Sequence, residues 1–263
     1  MATRRGERAL LANTMYFETF SKDVAVYLTS HSLRTITRAT ETKEMNSNNR
    51  AIELNNLAVS QLQEGNYKAA VANLKLAYHD LTTMKNIKSC SRNGNAPSLR
   101  VKSSPIAPLQ PGNAACQNVF DFYRRAFRIV SSQPETSDPI HIISNLIVVK
   151  FNLAIAYHDD AVRRDDPMHF RAALDVYQDI LYLMKEYSIK GHMLLLLSIG
   201  NNMGHIHCHM LNFPQTREAL FWVRELAVQC QQFASVIPYD DFAFFYNTVI
   251  IFRGDDLCIA PAA

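Results

Sequence analysis

The sequence predicts an all-α protein built from helical hairpins, and three observations lead to that fold class. Glycine and proline are scarce, at 8 and 10 of 263 residues, whereas an all-β chain needs turn residues every few positions. Apolar residues make up 48% of the chain, which is enough to fill a core. Beyond residue 50, apolar side chains recur at helical spacing between short polar turns. We therefore expect a helical-hairpin solenoid with a long disordered insertion and a C-terminal capping helix.

Residues 1–49 are predicted to form a partly ordered N-terminal region with one weakly amphipathic helix. The first clear helical stripe follows at Leu54, Leu57 and Ala58. A turn at Gly65 ends this helix, since glycine tolerates the positive φ of a helix end. The stripe of a second helix stands at Ala70, Leu74, Ala77 and Leu81. Residues 50–86 are therefore predicted to be the first hairpin.

A long insertion separates this hairpin from the next helical region. Residues 87–113 are rich in serine and proline and carry basic but no acidic side chains. This composition predicts a basic, flexible and disordered linker. Residues 114–138 connect the linker to the second hairpin. Within them, the aromatic run from Phe120 to Phe127 fits a short helix or an extended segment, and the sequence leaves both open.

Residues 139–253 are predicted to contain two more hairpins, over 140–186 and 192–233, and a capping helix over 239–252. The capping segment is apolar nearly all round, which suits an element that covers the open end of a solenoid. Residues 254–263 are expected to be a frayed tail.

Acidic pairs occur near several predicted helix ends, among them Asp159–Asp160, Asp165–Asp166 and Asp240–Asp241. Helix N-termini favour negative charge, so capping and solubility are the expected roles of these pairs. Residues 159–168 are predicted to be a loop inside the second hairpin.

The three predicted hairpins share a pattern of large and small residues. The first copy contains Leu54-x2-Leu57-Ala58, Gly65, Tyr67, Ala70-x3-Leu74 and Ala77. The second contains Leu153-Ala154-x2-Tyr157, Phe170 and Ala173-x3-Tyr177, and the third Met203-Gly204-x2-His207 and Ala219-x3-Val223. The chain thus resembles the tetratricopeptide repeat family over about 110 residues, although no copy has the usual tryptophan of the first helix or the usual proline that ends the second. The resemblance implies a non-enzymatic protein–protein interaction module, a scaffold or adaptor, that binds a peptide segment in a concave helical groove.

An asparagine stands two residues before the small residue of each first helix, at Asn56, Asn152 and Asn202. Asparagine prefers helix caps, so three equivalent mid-helix positions indicate a specific role. The resemblance implies that these amides face the groove and bond to a ligand backbone. We expect Asn55, Asn201 and His205 to belong to the same groove. The alternative, that the asparagines satisfy helix ends or neighbouring repeats, stays open.

The remaining groove positions are apolar, at Ile52, Val59, Leu62, Val148 and Ile155. They predict an extended or helical apolar ligand and argue against a basic clamp for a terminal carboxylate.

A competing hypothesis is a metal-binding or thiol-dependent enzyme or regulator centred on His205, Cys208 and His209. These residues share one helix face at i, i+3 and i+4, a spacing that can hold zinc. No carboxylate is predicted beside them to orient an imidazole, and the chain has no nucleotide-binding or hydrolase motif. We therefore expect no enzyme activity, no metal site and no cofactor.

The composition also limits location and partners. The net charge is only +3, and outside the basic linker acidic residues slightly outnumber basic ones, which disfavours an RNA-binding helical repeat or any other nucleic-acid partner. The five cysteines are far apart and odd in number, which favours reduced thiols and a cytoplasmic or nuclear location. The most apolar stretch, residues 142–157, contains four polar residues and is not predicted to span a membrane. The expected partner is a protein or peptide.

Overall fold

The computed structural model describes residues 47–84, 101–108, 120–130, 139–189, 192–231 and 237–251. The predictions for most of the N-terminal region and for the tail lie outside these residues. Within them the chain is mostly helical, in agreement with the predicted all-α class, and it adds a two-stranded antiparallel sheet. The elements are α1 (Ser47–Gln63), α2 (Tyr67–Thr83), β1 (Val101–Pro105), β2 (Arg125–Ile129), α3 (Pro139–Arg164), α4 (Pro167–Glu186), α5 (Met193–His209), α6 (Phe213–Gln231) and α7 (Tyr239–Ile251).

The helices pack in consecutive pairs, α1 with α2, α3 with α4 and α5 with α6, and each pair is joined by a short turn. In the first turn Gly65 has a φ of 77°, a conformation that glycine adopts without strain. Asn66 then caps α2, because its side chain accepts a hydrogen bond from the Ala69 N–H. Helix α2 also contacts α3, and α7 packs against α6 beside the last pair.

The turn between α3 and α4 is shorter than predicted. The sequence indicated a loop over 159–168, but α3 continues to Arg164 and α4 begins at Pro167. Two i,i+4 ion pairs, Asp159 with Arg163 and Asp160 with Arg164, support the last turn of α3, and the Asp159 side chain is fully buried. Asp166 caps α4 by accepting from the Met168 N–H, which is the capping role expected of that acidic pair.

Helix α3 is the central helix of the fold. By length and composition it is, among the described residues, the one helix able to cross a membrane, over Ile140–Arg164. However, 83% of its most apolar window is buried inside the protein. Core helices have the same apolar character, and the burial of α3 agrees with that role.

The two strands come from the insertion. They pair antiparallel with Val101 opposite Ile129, Ser103 opposite Phe127 and Pro105 opposite Arg125. The prediction of a disordered linker over 87–113 is therefore wrong for residues 101–108. These residues are ordered because they pair with the distant β2 and because Ile106 is buried. The amino-acid composition of the segment alone indicates neither contact.

Residues 120–130, which we call the groove segment, are extended and not helical. This settles the choice that the sequence left open. Phe120, Tyr123 and Phe127 are fully or almost fully buried, and β2 packs against α1 and α3. The Phe127 and Phe151 rings lie 4.9 Å apart between centroids. The groove segment is thus part of the hydrophobic core that the helix pairs share.

Gly204 on α5 makes room for the groove segment. A Cβ atom at this position would lie 2.5 Å from Cζ of Phe120, well inside van der Waals contact. We expect Gly204→Ala to lower the free energy of unfolding by about 1–2 kcal/mol, because overpacking outweighs the gain in helix propensity. Urea denaturation measures this change. The same substitution in a Phe120→Leu background should cost less, and an equal cost in both backgrounds would contradict the assigned contact.

Candidate functional site

Three side-chain amides from three different helices hydrogen-bond to the backbone of the groove segment. We call Asn56 of α1, Asn152 of α3 and Asn202 of α5 the asparagine ladder. The central member shows the geometry. Asn152 Oδ1 accepts from the Phe127 N–H at 2.8 Å, and Asn152 Nδ2 donates to the Phe127 carbonyl at 2.8 Å. One amide therefore satisfies both backbone polar groups of one residue.

The two outer members repeat this pairing. Asn56 Oδ1 accepts from the Ile129 N–H and its Nδ2 donates to the Ile129 carbonyl, both at 2.9 Å. Asn202 Oδ1 accepts from the Tyr123 N–H at 2.9 Å, and its Nδ2 donates to the Tyr123 carbonyl at 3.3 Å. Asn152 and Asn202 are fully buried and Asn56 is half-buried. The structure thus brings together the three asparagines that the sequence singled out, on a peptide backbone of the same chain.

The spacing of the contacted residues explains how asparagines on one edge of the segment can bond to all three of them. Tyr123, Phe127 and Ile129 are separated by four and two residues, and in an extended chain residues at even spacing turn their N–H and C=O groups to the same edge. The intervening Arg124 uses the opposite edge, where its carbonyl accepts from the Ile106 N–H at 3.1 Å. The groove segment therefore lies between the asparagine ladder on one edge and the chain from β1 to Ile106 on the other.

The two neighbouring asparagines, Asn55 and Asn201, also hydrogen-bond to the groove segment. Asn55 Nδ2 donates to the Phe127 carbonyl at 3.1 Å, and its Oδ1 accepts from Asn152 at 2.8 Å. Asn201 Nδ2 donates to the Asp121 carbonyl at 2.8 Å. Asn55 thereby links the amides of α1 and α3 into one buried network, in which each bond orients the next.

The apolar positions predicted to line the groove are buried or half-buried in the core: Ile52, Val59, Leu62, Val148 and Ile155. The segment that occupies the groove is aromatic and basic, and not simply apolar.

The carboxylate of Asp159 is fully buried and accepts hydrogen bonds from two arginines. Arg124 of the groove segment and Arg163 of α3 both hydrogen-bond to it. Arg163 also donates to the Tyr67 hydroxyl at 2.6 Å. Burial, followed by the charge of Asp159, raises the pKa of Tyr67 to about 12. The expected capping and solubility role of Asp159 is therefore wrong, because its carboxylate anchors the insertion to the helices.

Asp241 is a second buried carboxylate, and it pairs with the adjacent Arg125. It lies in the first turn of α7, where a cap was predicted, but its carboxylate is fully buried. It accepts from the Tyr123 hydroxyl at 2.8 Å and from Ser103 Oγ at 2.8 Å, and it pairs with Arg125 Nε at 3.1 Å. Burial and the adjacent Asp241 raise the pKa of Tyr123 above its usual range. The sequence feature that could have indicated these two buried aspartates is the cluster of arginines in an otherwise aromatic segment, since buried arginines need acidic partners.

His205 contacts a side chain of the groove segment, since its ring lies 5.6 Å from the Phe122 ring between centroids. His205 Nδ1 lies 3.0 Å from Nε2 of the fully buried His158, and the Phe122 ring stacks on His158 with centroids 3.8 Å apart. Burial, with the nearby His209, lowers the pKa of His205 to about 4. Burial and the neighbouring His205, His209 and Arg124 lower the pKa of His158 well below its usual range. Two neutral imidazoles therefore lie against the Phe122 ring.

His205 and His209, which the competing hypothesis treats as metal ligands, each lie within hydrogen-bond distance of another side chain. His205 faces His158, and His209 Nε2 lies 2.9 Å from Asp165 Oδ1, a carboxylate that the sequence did not place there. Cys208 is half-buried. In the part of the chain that the structure describes, no group of three or more His, Cys, Asp or Glu side chains could hold a metal ion.

We expect Asn152→Ala to lower the free energy of unfolding by about 1–3 kcal/mol, because the Phe127 N–H loses its buried partner and the Phe127 carbonyl keeps only Asn55. Asn202→Ala should behave alike, and the half-buried Asn56→Ala should cost less. Asn73→Ala is the matched control, since Asn73 bonds to Gln61 on α1 away from the groove, and it should change stability by less than about 0.5 kcal/mol. Urea denaturation of the four variants gives the comparison. Equal values for Asn152→Ala and Asn73→Ala would contradict the contacts described above.

We expect acid to destabilise the fold through the imidazole pair. The folded-state pKa of His205 is about 4, below the unfolded value of about 6.5, so the unfolded chain binds more protons. The stabilisation is complete above about pH 6.5 and is lost as the pH falls towards 4, with a loss of about 2 kcal/mol from His205 by pH 4.5. Denaturation curves between pH 7 and pH 4.5 measure this slope. His205→Gln should reduce it, whereas His79→Gln, an exposed control on α2, should keep it; an unchanged slope in His205→Gln would overturn the assignment.

Comparison with known proteins found no match: no family model, no curated protein and no solved structure matches the chain. The resemblance to tetratricopeptide repeats therefore rests on the sequence positions given above.

Proposed function

We propose that this chain is a non-enzymatic protein–protein interaction module, a scaffold or adaptor of the tetratricopeptide repeat type. Its three helix pairs would form one helical-hairpin solenoid, and the groove along the first helices would bind an extended peptide. The observation that supports this proposal is the asparagine ladder, because it already holds an extended backbone in that groove.

The chemistry of the ladder suits peptide recognition. A side-chain amide that accepts from an N–H and donates to a C=O of the same residue recognises an extended main chain whatever its side chains are. Side-chain pockets on either side then add specificity. Because the polar groups converge on a backbone and not on a reactive atom, the arrangement favours binding over catalysis.

The positions of the ladder also support the solenoid interpretation. Each member stands near the middle of the first helix of its pair, and the groove segment crosses all three first helices in the order α5, α3, α1. In stacked helical repeats, equivalent positions on successive first helices line one face. A single extended peptide can therefore contact every repeat at once.

We expect selection from a library of random peptides to yield ligands whose binding depends on the ladder. In the Arg124→Ala/Arg128→Ala background, which weakens the hold on residues 120–130, the Kd of selected peptides, measured by fluorescence anisotropy, should rise about tenfold or more when Asn152→Ala or Asn202→Ala is added. Asn73→Ala, which lies outside the groove, should leave binding in that background unchanged. Peptides that bind equally to all of these proteins would show that the groove is not the binding site, and the proposal would fail.

A further inference from the structure

We infer that the peptide partner of this groove has the chemistry of the groove segment itself: an extended chain with aromatic residues and adjacent arginines. Residues 120–130 would then be a competitor within the same chain. This inference rests on the proposed function and adds the ligand class and its competitor.

The aromatic preference follows from four sites that the groove segment fills. Phe120 lies over Gly204 on α5, and Phe122 stacks on the buried His158. The other two aromatic rings lie against Phe245 and Phe151: Tyr123 at 4.8 Å and Phe127 at 4.9 Å between centroids. A peptide without aromatic side chains at these positions would leave cavities in a close-packed core.

The basic preference follows from the two buried carboxylates. Asp159 and Asp241 have no exposed side-chain surface, and each is paired with an arginine of the groove segment, Arg124 and Arg125. A replacement ligand that lacked these cations would leave Asp241 without its Arg125 partner and Asp159 with Arg163 alone, which is unfavourable for buried carboxylates. The groove therefore selects against neutral and acidic peptides.

A third arginine holds the end of the groove segment at the rim. Arg128 donates to the Asn56 carbonyl, to Ser60 Oγ at 2.9 Å and to Gln63 Oε1 at 2.7 Å, where Gln63 is exposed. Ile129 is still buried, and the following Val130 is 48% exposed. Exposed polar contacts contribute little, so this end is the place where an incoming peptide can begin to replace the segment.

Residues 120–130 belong to no helix, so their release breaks the pairing of β1 with β2 and the ladder hydrogen bonds but interrupts no helical turn. The segment is nevertheless tethered, and a tethered ligand competes at an effective concentration of about millimolar order. The wild-type chain should therefore bind an external peptide weakly, and a weakened segment should raise that affinity.

The test uses a fluorescent synthetic peptide of residues 119–131 and anisotropy titrations against the full chain. The variant Arg124→Ala/Arg128→Ala, which weakens the tethered segment but not the groove, should bind the peptide at least about tenfold more tightly than the wild type. Arg50→Ala/Arg164→Ala is the matched control, because these two exposed arginines pair with Asp80 and Asp160 and not with the groove segment. It should bind like the wild type. A peptide with its three arginines replaced by glutamine should bind the weakened variant at least about tenfold less tightly.

Circular dichroism establishes first that the variants are folded. If the double variant does not fold, Arg128→Ala alone replaces it, with an expected gain of about threefold. A folded variant that binds the peptide no better than the wild type would overturn the competition. If library-selected peptides without arginine bind the groove and the 119–131 peptide does not, the ligand class is wrong while the proposed function stands. If no peptide binds the folded variant, the proposed function fails as well.

Discussion

The fold depends on satisfying the backbone of an extended segment that is buried among helices. Helices use most of their own N–H and C=O groups internally, so their main chains cannot pair with such a segment. In this protein side-chain amides take that role. Asn152 supplies one acceptor and one donor to Phe127 with both bonds at 2.8 Å, and equivalent amides serve Tyr123 and Ile129. The asparagine ladder is thus the condition under which the aromatic side chains of the segment can enter the core.

Charge is the second constraint on the same region. The arginines that flank the buried aromatics would be costly to bury alone, and Asp159 and Asp241 compensate Arg124 and Arg125 inside the protein. Hydrogen bonds from the Tyr123 and Ser103 hydroxyls complete the coordination of Asp241. Backbone pairing, aromatic burial and buried ion pairs therefore depend on one another, and each one fixes the register of the segment against α1, α3 and α5.

The sequence predicted the parts of this arrangement that local patterns encode. Helical periodicity located the three helix pairs, and the repeated position of Asn56, Asn152 and Asn202 identified the ladder residues. The sequence did not predict the groove segment as the occupant, because β1 and β2 are far apart in the chain and their pairing leaves no local pattern. Asp159 and Asp241 were missed because an acidic pair near a helix end has the same local sequence whether it caps the helix or enters the core.

The most direct test of this account is amide hydrogen exchange of the groove segment, resolved to single residues by NMR. The N–H groups of Tyr123, Phe127 and Ile129 should be protected in the wild-type chain, because each donates to a ladder asparagine. In Asn152→Ala the protection of Phe127 should fall more than that of Tyr123 or Ile129. Exchange of the Phe127 amide at the rate of an unstructured peptide in the wild type, or an unchanged rate in Asn152→Ala, would contradict the account.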